Sequence, residues 1–418
     1  MKNILLRAKK NFFKKLGPGI ITGASDDDPA GVVIYAQTGA AAGTNLAWTA
    51  PLTFPFMAVI QEMCARIGLV TGHGLVGTMK KHYPRVFIVF IAALVVVANT
   101  INIGADIAGM AASIRLFVPL PSLLIAALFA VLIIAFMIYF PYRVLANIFK
   151  WLTLALFAYI ITAFLVVDNW AQVLLDTVIP HIELTREQLS LILAIFGTTI
   201  SPYLFFWQAS EEAEERHEVS RRIVTKNELK VMREDVTLGM FFSNLVMYFI
   251  IITSAKTLPG LGIQTVHSPS QAAAALAPLT GDFATLLFTI GIIGTGMLAV
   301  PVLAGSAAYA VSEVFGWKEG LSLSWSRARA FYAVIIISTL VGALFITIGE
   351  KFGFPPFKAL IATGIIYGVL SPLLILIILM IANNKHILGD KVNGVMSNTL
   401  GVATFVIMTL AVVALAIV

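Results

Sequence analysis

An ionisable residue and a helix breaker, Asp28 and Pro29, stand side by side in an apolar stretch between residues 17 and 42. A carboxylate near the middle of a bilayer is costly unless it faces a polar cavity or a partner. Proline removes a helical hydrogen bond, and opened backbone at membrane depth persists only where protein or trapped water satisfies it. A carboxylate beside free carbonyl oxygens can bind a cation, so the pair predicts a cation site. The alternative is a proline kink whose acid points to water.

A second break lies five apolar segments later, where Ser201 and Pro202 interrupt a stretch that also contains Thr198. Because five is odd, the two breaks would belong to halves of opposite membrane orientation. Paired interrupted helices in inverted halves are the best sequence indication of a secondary-transporter binding site. Half-helix ends expose carbonyl groups that suit a cation, so we expect the two breaks to form one site.

The elements that must hold these residues are membrane helices. Of 418 residues, 59% are hydrophobic and 12% are charged, whereas soluble domains carry about 25% charged residues. Mean hydropathy is +0.92, and the single cysteine, Cys64, excludes an intramolecular disulfide. The sequence predicts an all-α polytopic membrane protein with spans at roughly 17–42, 45–70, 86–112, 121–141, 148–168, 189–210, 234–256, 281–310, 328–348, 357–382 and 395–418.

Basic residues are divided unevenly between the two sides of the predicted membrane. With the tail 1–16 placed inside, 22 of the 28 lysines and arginines fall inside, 5 fall outside and Arg66 lies within a span. Cytoplasmic loops show this excess. We therefore expect a cytoplasmic N-terminal tail, an extracytoplasmic C-terminus and a prokaryotic inner membrane. The dispersed basic residues do not indicate a nucleic-acid partner.

The motifs at the two breaks resemble those of the Nramp family of divalent-metal transporters, and the resemblance spans nearly the whole chain. The family's Asp-Pro-Gly-Asn and Met-Pro-His motifs correspond to residues 28–31 and 201–203. Further matches are Gly17-Pro18-Gly19, Ala105-Asp106-Ile107-Ala108 and Ala304-Gly305-Ser306. The resemblance implies a LeuT-type 5+5 inverted repeat with helices 1 and 6 broken: a first repeat at 17–168, a second at 189–382, and an eleventh transmembrane helix at 395–418.

The chain also departs from the family pattern, as a divergent branch would. The motif Asn is Gly31, the Met is Ser201, the His is Tyr203, and a glutamate expected one turn after Asp106 is Gly109. Loss of a soft thioether turns the site toward oxygen donors, which suit Mg²⁺ or Mn²⁺. Gly31 leaves space for the waters that Mg²⁺ keeps, because Mg²⁺ dehydrates reluctantly.

Six residues are candidates for the ion site. We expect Asp28 to be the only charged ligand, with help from Ser201 and from backbone carbonyls around Asp27 and Thr198, while Gly31 leaves room and Tyr203 shapes the pocket. Asp26 and Asp27 precede Asp28, and helix neighbours point about 100° apart, so at most one of them shares its face. Solvated acids at the mouth of the site are the alternative for both.

One face of the third span carries Asn99, Asn102 and Asp106 at i, i+3 and i+7. Such a polar face should line the bundle interior, which makes Asp106 and Asn102 candidates for an ion or proton route. A structural acid bonded to neighbouring side chains is the alternative for Asp106. All six histidines fall in predicted loops or at helix ends, so we do not expect proton coupling through histidine.

Two other charged features have structural interpretations. Glu62 and Arg66, four residues apart, should neutralise each other in the second span. The run from Glu211 to Arg216 predicts a solvated, salt-bridged helix or an acidic vestibule that concentrates cations. Phosphate-loop, zinc-protease and nucleophile-elbow motifs are absent from the sequence, so we expect no enzyme and no cofactor.

The sequence thus predicts a secondary transporter that imports a divalent cation, Mg²⁺ or Mn²⁺, by alternating access. We expect the transporter to lie in the lipid bilayer, and no obligatory protein partner is evident. The first alternative is a proton-coupled Mn²⁺/Fe²⁺ importer with an unusual site. The second is an organic-substrate symporter on the same fold, in which Asp28 pairs with an amine. A membrane sensor is disfavoured, because no soluble signalling domain is attached.

Overall fold

A computed structural model describes residues 17–140, 142–218 and 224–418, and these residues form helices joined by turns and loops. The helices before residue 180 are α1 (Pro18–Asp26), α2 (Pro29–Ala42), α3 (Thr49–Thr71), α4 (Leu75–Lys80), α5 (Arg85–Ile114), α6 (Ser122–Tyr139), α7 (Tyr142–Thr153), α8 (Ala158–Val166) and α9 (Trp170–Val178). The later α-helices of five or more residues are α10 (Arg186–Thr199), α11 (Pro202–Glu218), α12 (Lys226–Thr257), α13 (Pro269–Ala273), α14 (Ala284–Phe315), α15 (Arg329–Lys351), α16 (Pro356–Ala382) and α17 (Val395–Ile417).

Within the described residues, nine helical stretches are long and apolar enough to cross a membrane. A bent pair, Trp151–Val166 and Trp170–Val178 with 120° between its halves, is a tenth candidate. These ten correspond to ten of the eleven predicted spans. The remaining one, 17–42, forms α1 and α2 and carries three adjacent aspartates at its centre. The predicted tail 1–16 and the loop residues Arg221 and Arg222 lie outside the described residues.

The first and sixth predicted spans, which form α1 with α2 and α10 with α11, are broken at the prolines, as predicted. α1 ends at Asp26, and α2 begins at Pro29 after two non-helical residues. α10 ends at Thr199, and α11 begins at Pro202. Proline is favoured in the first turn of a helix because its missing N–H would have no partner there. Each proline therefore starts a new helix instead of kinking an old one.

The broken helices pack against their neighbours with backbone nearly touching backbone. A Cβ added at Gly23 of α1 would lie 2.3 Å from the Gly239 carbonyl oxygen of α12, and one added at Gly39 of α2 would lie 2.3 Å from that of Ile251. Gly197 of α10 meets α16 in the same way. Small residues allow such approach between membrane helices, and they place both breaks at the centre of the bundle.

Candidate functional site at the two helix breaks

Asp28 is the residue on which the site is built, and its carboxylate is fixed by two hydrogen bonds. As N-cap of α2, its Oδ1 accepts the backbone N–H of Gly31 at 2.6 Å, and its Oδ2 accepts Asn102 Nδ2 of α5 at 3.0 Å. The residue is 1% exposed. A carboxylate at a helix N-terminus is stabilised by the unpaired N–H groups and the helix dipole. Asp28 can therefore remain a buried anion that presents charge to a cation.

The predicted polar face of α5 does point into the bundle. Asn99, Asn102 and Asp106 are all buried. Asn99 is used structurally, since its Nδ2 donates to Ser306 Oγ at 2.7 Å and its Oδ1 accepts the Tyr367 hydroxyl at 2.9 Å. Asp106 differs, because neither of its carboxylate oxygens makes a regular hydrogen bond to the described residues. Asp106 is thus a buried acid beside Asp28 that the surrounding side chains do not satisfy.

The second break approaches Asp28 at Gly31. A Cβ added at Gly31 would lie 3.3 Å from both Asp28 Oδ1 and Thr198 Oγ1, so the structure brings these three predicted residues together. Ser201 Oγ donates to the carbonyls of Thr198 and, at 3.3 Å, Gly197. The hydroxyl hydrogen of Ser201 is therefore used in these bonds, and only the lone pairs of its Oγ can contact a bound ion. The Thr198 carbonyl, expected to be free, accepts this hydroxyl.

Tyr203 holds the two broken helices against each other. Its hydroxyl donates to the Ser25 carbonyl of α1 at 2.9 Å, and its ring lies against Tyr367 of α16 with centroids 5.7 Å apart. Tyr203 thus bounds the site and ties α11 to the end of α1. Asp26 and Asp27 have a different neighbour: both accept the hydroxyl of Ser243 on α12. Nothing in the local sequence around residue 243 indicates this contact.

Polar contacts that the sequence did not predict continue along α1 toward its N-terminus. Thr22 Oγ1 donates to Gln208 Oε1 at 2.5 Å, and Gln208 Nε2 donates to Glu212 Oε1 at 3.1 Å. Asp235 of α12 accepts the backbone N–H groups of Gly17 at 3.2 Å and Gly19 at 2.7 Å. α1 is therefore attached to α11 and α12 by separate polar links.

The acidic run after residue 210 continues α11 as predicted, but it is not a purely solvated helix. Glu212 is buried. Glu214 accepts the Tyr309 hydroxyl and the backbone N–H groups of Leu321 and Ser322, at 3.1 and 2.7 Å for the last two. Glu214 therefore holds the loop between α14 and α15. The predicted pair of Glu62 with Arg66 is confirmed at 3.3 Å.

Glu214 also lines a cavity of about 270 Å³ together with His73, His217, Glu313 and Glu319. Burial raises the pKa of the Glu319 carboxyl to about 9, and the nearby Glu313 and Glu214 carboxylates contribute to the rise. A proton on Glu319 relieves the repulsion among three acids around one cavity.

We expect Glu319 to contribute a loss of thermal stability as pH rises from about 4.5 to about 9. The folded protein keeps a proton on Glu319 that the unfolded chain releases above its ordinary pKa of 4.5, so folding becomes less favourable across this window. Melting curves in detergent at several pH values should show a shallower decline for Glu319→Gln than for wild type. The exposed Glu187→Gln is the control, and equal slopes for all three proteins would contradict the assignment.

The profile described as natural resistance-associated macrophage protein-like, Nramp, matches residues 19–418. Two relatives are each described as divalent metal cation transporter MntH. That of Mesorhizobium japonicum is 25% identical over 351 residues, 80% of this chain and 75% of the relative. That of Mycobacterium tuberculosis is 23% identical over 382 residues, 90% of this chain and 85% of the relative.

Solved structures share the fold. A manganese transporter of Eremococcus coleocola, in complex with an aromatic bis-isothiourea substituted compound, superposes with a TM-score of 0.73 at 19% identity and covers 96% of this chain and 86% of its own. Mhp1, a nucleobase-cation-symport-1 family transporter, gives 0.53 at 14% identity, with 96% and 93% covered. The architecture is thus of the LeuT type, as predicted. Because the profile extends from residue 19 to residue 418, the protein is an integral membrane protein of the Nramp family.

Proposed function

We propose that the protein is a secondary transporter that imports a divalent metal ion, Mg²⁺ or Mn²⁺, by alternating access. One observation carries the proposal: the Asp28 carboxylate is buried where the two broken helices meet, with Gly31 and Thr198 beside it. An anion held at this depth needs a cation as its counterpart. The names of the relatives, divalent metal cation transporter and manganese transporter, agree with a metal as the substrate.

The donor set supports an ion that prefers oxygen and retains water. Ser201 stands where the family motif has Met, so the site offers carboxylate, hydroxyl and carbonyl oxygens. Within the described residues, no three His, Cys, Asp or Glu side chains are grouped to hold a metal. A single carboxylate with few neutral oxygens suits a partly hydrated Mg²⁺ or Mn²⁺ better than an ion stripped of its waters. Asp106 and Asn102 then line the ion route.

We propose two inverted repeats, 17–168 and 189–382, with residues 395–418 as an added eleventh helix. The matching breaks support this division, because each repeat begins with an interrupted helix. The excess of basic residues on one side supports a cytoplasmic N-terminus and an extracytoplasmic C-terminus, and the bacterial relatives support a prokaryotic inner membrane. In this orientation α1 runs from the cytoplasm to the site.

The decisive experiment is metal uptake into proteoliposomes, with a panel of divalent ions tested with and without a pH gradient. We expect saturable uptake of Mg²⁺ and Mn²⁺ without acidification of the lumen, because the described membrane helices place no histidine at the breaks. A metal-dependent proton current would establish the proton-coupled Mn²⁺/Fe²⁺ alternative. If no divalent ion is transported and organic amines bind, the symporter alternative would be established.

Selectivity gives a sharper test, because Ser201 and Gly31 separate this chain from the family pattern. Ser201→Met introduces a bulky thioether, so transport of Mg²⁺ should fall relative to Mn²⁺ or Cd²⁺ by about tenfold, equivalent to about 1.4 kcal/mol. Adding Gly31→Asn should deepen the shift, since its Cβ alone would lie 3.3 Å from Asp28 Oδ1. Ser201→Ala is the control, as it removes the hydroxyl without adding sulfur. An unchanged Mg²⁺ to Mn²⁺ ratio would contradict the hydrated-ion proposal.

A further inference from the structure

Two carboxylates next to the proposed ion site are not used by it. Asp26 is 0% and Asp27 is 6% exposed. The single hydroxyl of Ser243 lies 2.5 Å from Asp26 Oδ2 and 3.3 Å from Asp27 Oδ1, so one hydrogen is shared between two acids. Asp26 Oδ1 is buried and has no hydrogen-bond partner among the described residues. Buried anions of this kind are costly unless a positive charge joins them.

Asp26 and Asp27 differ from Asp28 in the helix terminus at which they lie. Asp28 caps the N-terminus of α2, where unpaired N–H groups favour an anion. Asp26 is the last residue of α1 and Asp27 is its C-cap, where unpaired carbonyls carry the negative end of the dipole. The two carboxylates and the negative end of the helix dipole repel each other, and the last turn of α1 has no basic residue that would offset this repulsion. The same carbonyls and carboxylates together are a favourable environment for a cation.

A cavity of about 100 Å³ reaches the cluster from the side of α1. Asp27 and Ser243 line it together with Ile20, Gly23 and Ala24, which follow one face of α1 toward its N-terminus. The rest of the wall comes from α12, at Gly239, Phe242 and Val246, and from the end of α7 and the residues after it, at Thr153, Leu156 and Phe157. The cavity therefore begins beside Asp27 and Ser243 and extends along α1 as far as Ile20, about two helical turns away.

We propose that Asp26, Asp27 and Ser243 form a second divalent-cation site, through which the ion passes between Asp28 and the cavity along α1. The two carboxylates match the charge of a divalent ion, and the free Asp26 Oδ1, the Asp27 carboxylate and the Ser243 oxygen are the hard ligands that Mg²⁺ and Mn²⁺ prefer. This inference rests on the proposed function, because it takes the same ion as its ligand. The role belongs to the side chains of Asp26 and Asp27, distinct from the backbone carbonyls expected at the first site.

The test is the number of Mn²⁺ ions bound by the purified full-length protein, counted by electron paramagnetic resonance during a titration in detergent. Wild type should bind two ions, and Asp28→Asn and the double variant Asp26→Asn/Asp27→Asn should each bind one. Ser243→Ala should weaken one of the two ions by about tenfold, since it removes a ligand but no charge. Asp176→Asn, a change at a buried aspartate in α9, should still bind two.

The outcomes separate this inference from the proposed function. If wild type binds one ion that is lost in Asp28→Asn and kept in the double variant, the second site is wrong and the first stands. If the single ion is kept in Asp28→Asn and lost in the double variant, the second site stands and Asp28 is not the ligand. If no ion binds, both are wrong. Should the double variant not fold, Ser243→Ala and Asp27→Asn must each weaken one ion selectively, and unchanged titrations would overturn the site.

Discussion

Asp28→Asn should reduce saturable divalent-metal uptake by at least about 100-fold, since even residues that only support a metal ligand typically cost 10–100-fold when replaced. The folded state should survive. Asparagine is a good N-cap whose oxygen can keep the Gly31 N–H bond, and the Asn102 amide can turn to offer its oxygen to the new side chain. What disappears is the negative charge at the meeting point of the two breaks. Initial rates of Mn²⁺ and Mg²⁺ uptake in proteoliposomes measure the loss.

The matched control for this change is Asp176→Asn, because Asp176 is also a buried aspartate that accepts hydrogen bonds. Its carboxylate accepts Thr44 Oγ1 and, at 2.8 Å, Gln172 Nε2, and it lies on α9 away from the breaks. Uptake by this variant should stay close to wild type. Normal uptake by Asp28→Asn would remove Asp28 from the site. An equal loss of uptake in both variants would show that removing any buried aspartate charge lowers uptake.

Gly197→Ala should prevent α10 from packing on α16 and destabilise the protein by about 3 kcal/mol or more, at the upper end of the cost of overpacking. A Cβ at this position would lie 1.9 Å from the Gly364 carbonyl oxygen and 2.3 Å from the Gly368 backbone nitrogen. These atoms belong to backbone, so no side chain can turn aside and the helices must separate. Thr198 is the next residue, so the second break would move with them. Melting temperature and the gel-filtration profile in detergent report the change.

The same substitution at Gly349 is the control. Gly349 also lies in a membrane helix, α15, but a Cβ there would meet no atom nearer than 3.8 Å, an ordinary contact with Phe354. Gly349→Ala should be neutral or slightly stabilising, because alanine is the better helix former. A Gly197→Ala protein that melts at the wild-type temperature would show that α10 and α16 can shift apart without cost.

The local features of the site were predictable from the sequence, because each depends on neighbours along the chain. Pro29 and Pro202 locate the breaks, an acid in an apolar stretch identifies Asp28, and helical spacing places Asn102 inside the bundle. The close contact of α10 with α16 also had a signal, since Gly364 and Gly368 form a small-xxx-small pattern.

The contacts between distant segments had no such signal. Ser243 reaches Asp26 across 217 positions of the chain, and Asp235 reaches Gly19 across 216. A serine or an aspartate in a helix has many candidate partners, and only the packing of the helices selects one. For the same reason the acidic run after residue 210 gives no sign that Glu214 binds a loop more than 100 positions away.

The glycines between α1 and α12 bear on how these two helices can move. At Gly19 and Gly23 the backbone of α1 lies directly against the backbone of Val236 and Gly239, so neither position has a side chain that must disengage when the helices move apart. Two sets of hydrogen bonds resist separation: the Asp235 carboxylate accepts the N–H groups of Gly17 and Gly19 at one end, and the Ser243 hydroxyl donates to Asp26 and Asp27 at the other. α1 is therefore held to α12 by hydrogen bonds at both of its ends, and it can move away from α12 as one unit only when both sets are broken.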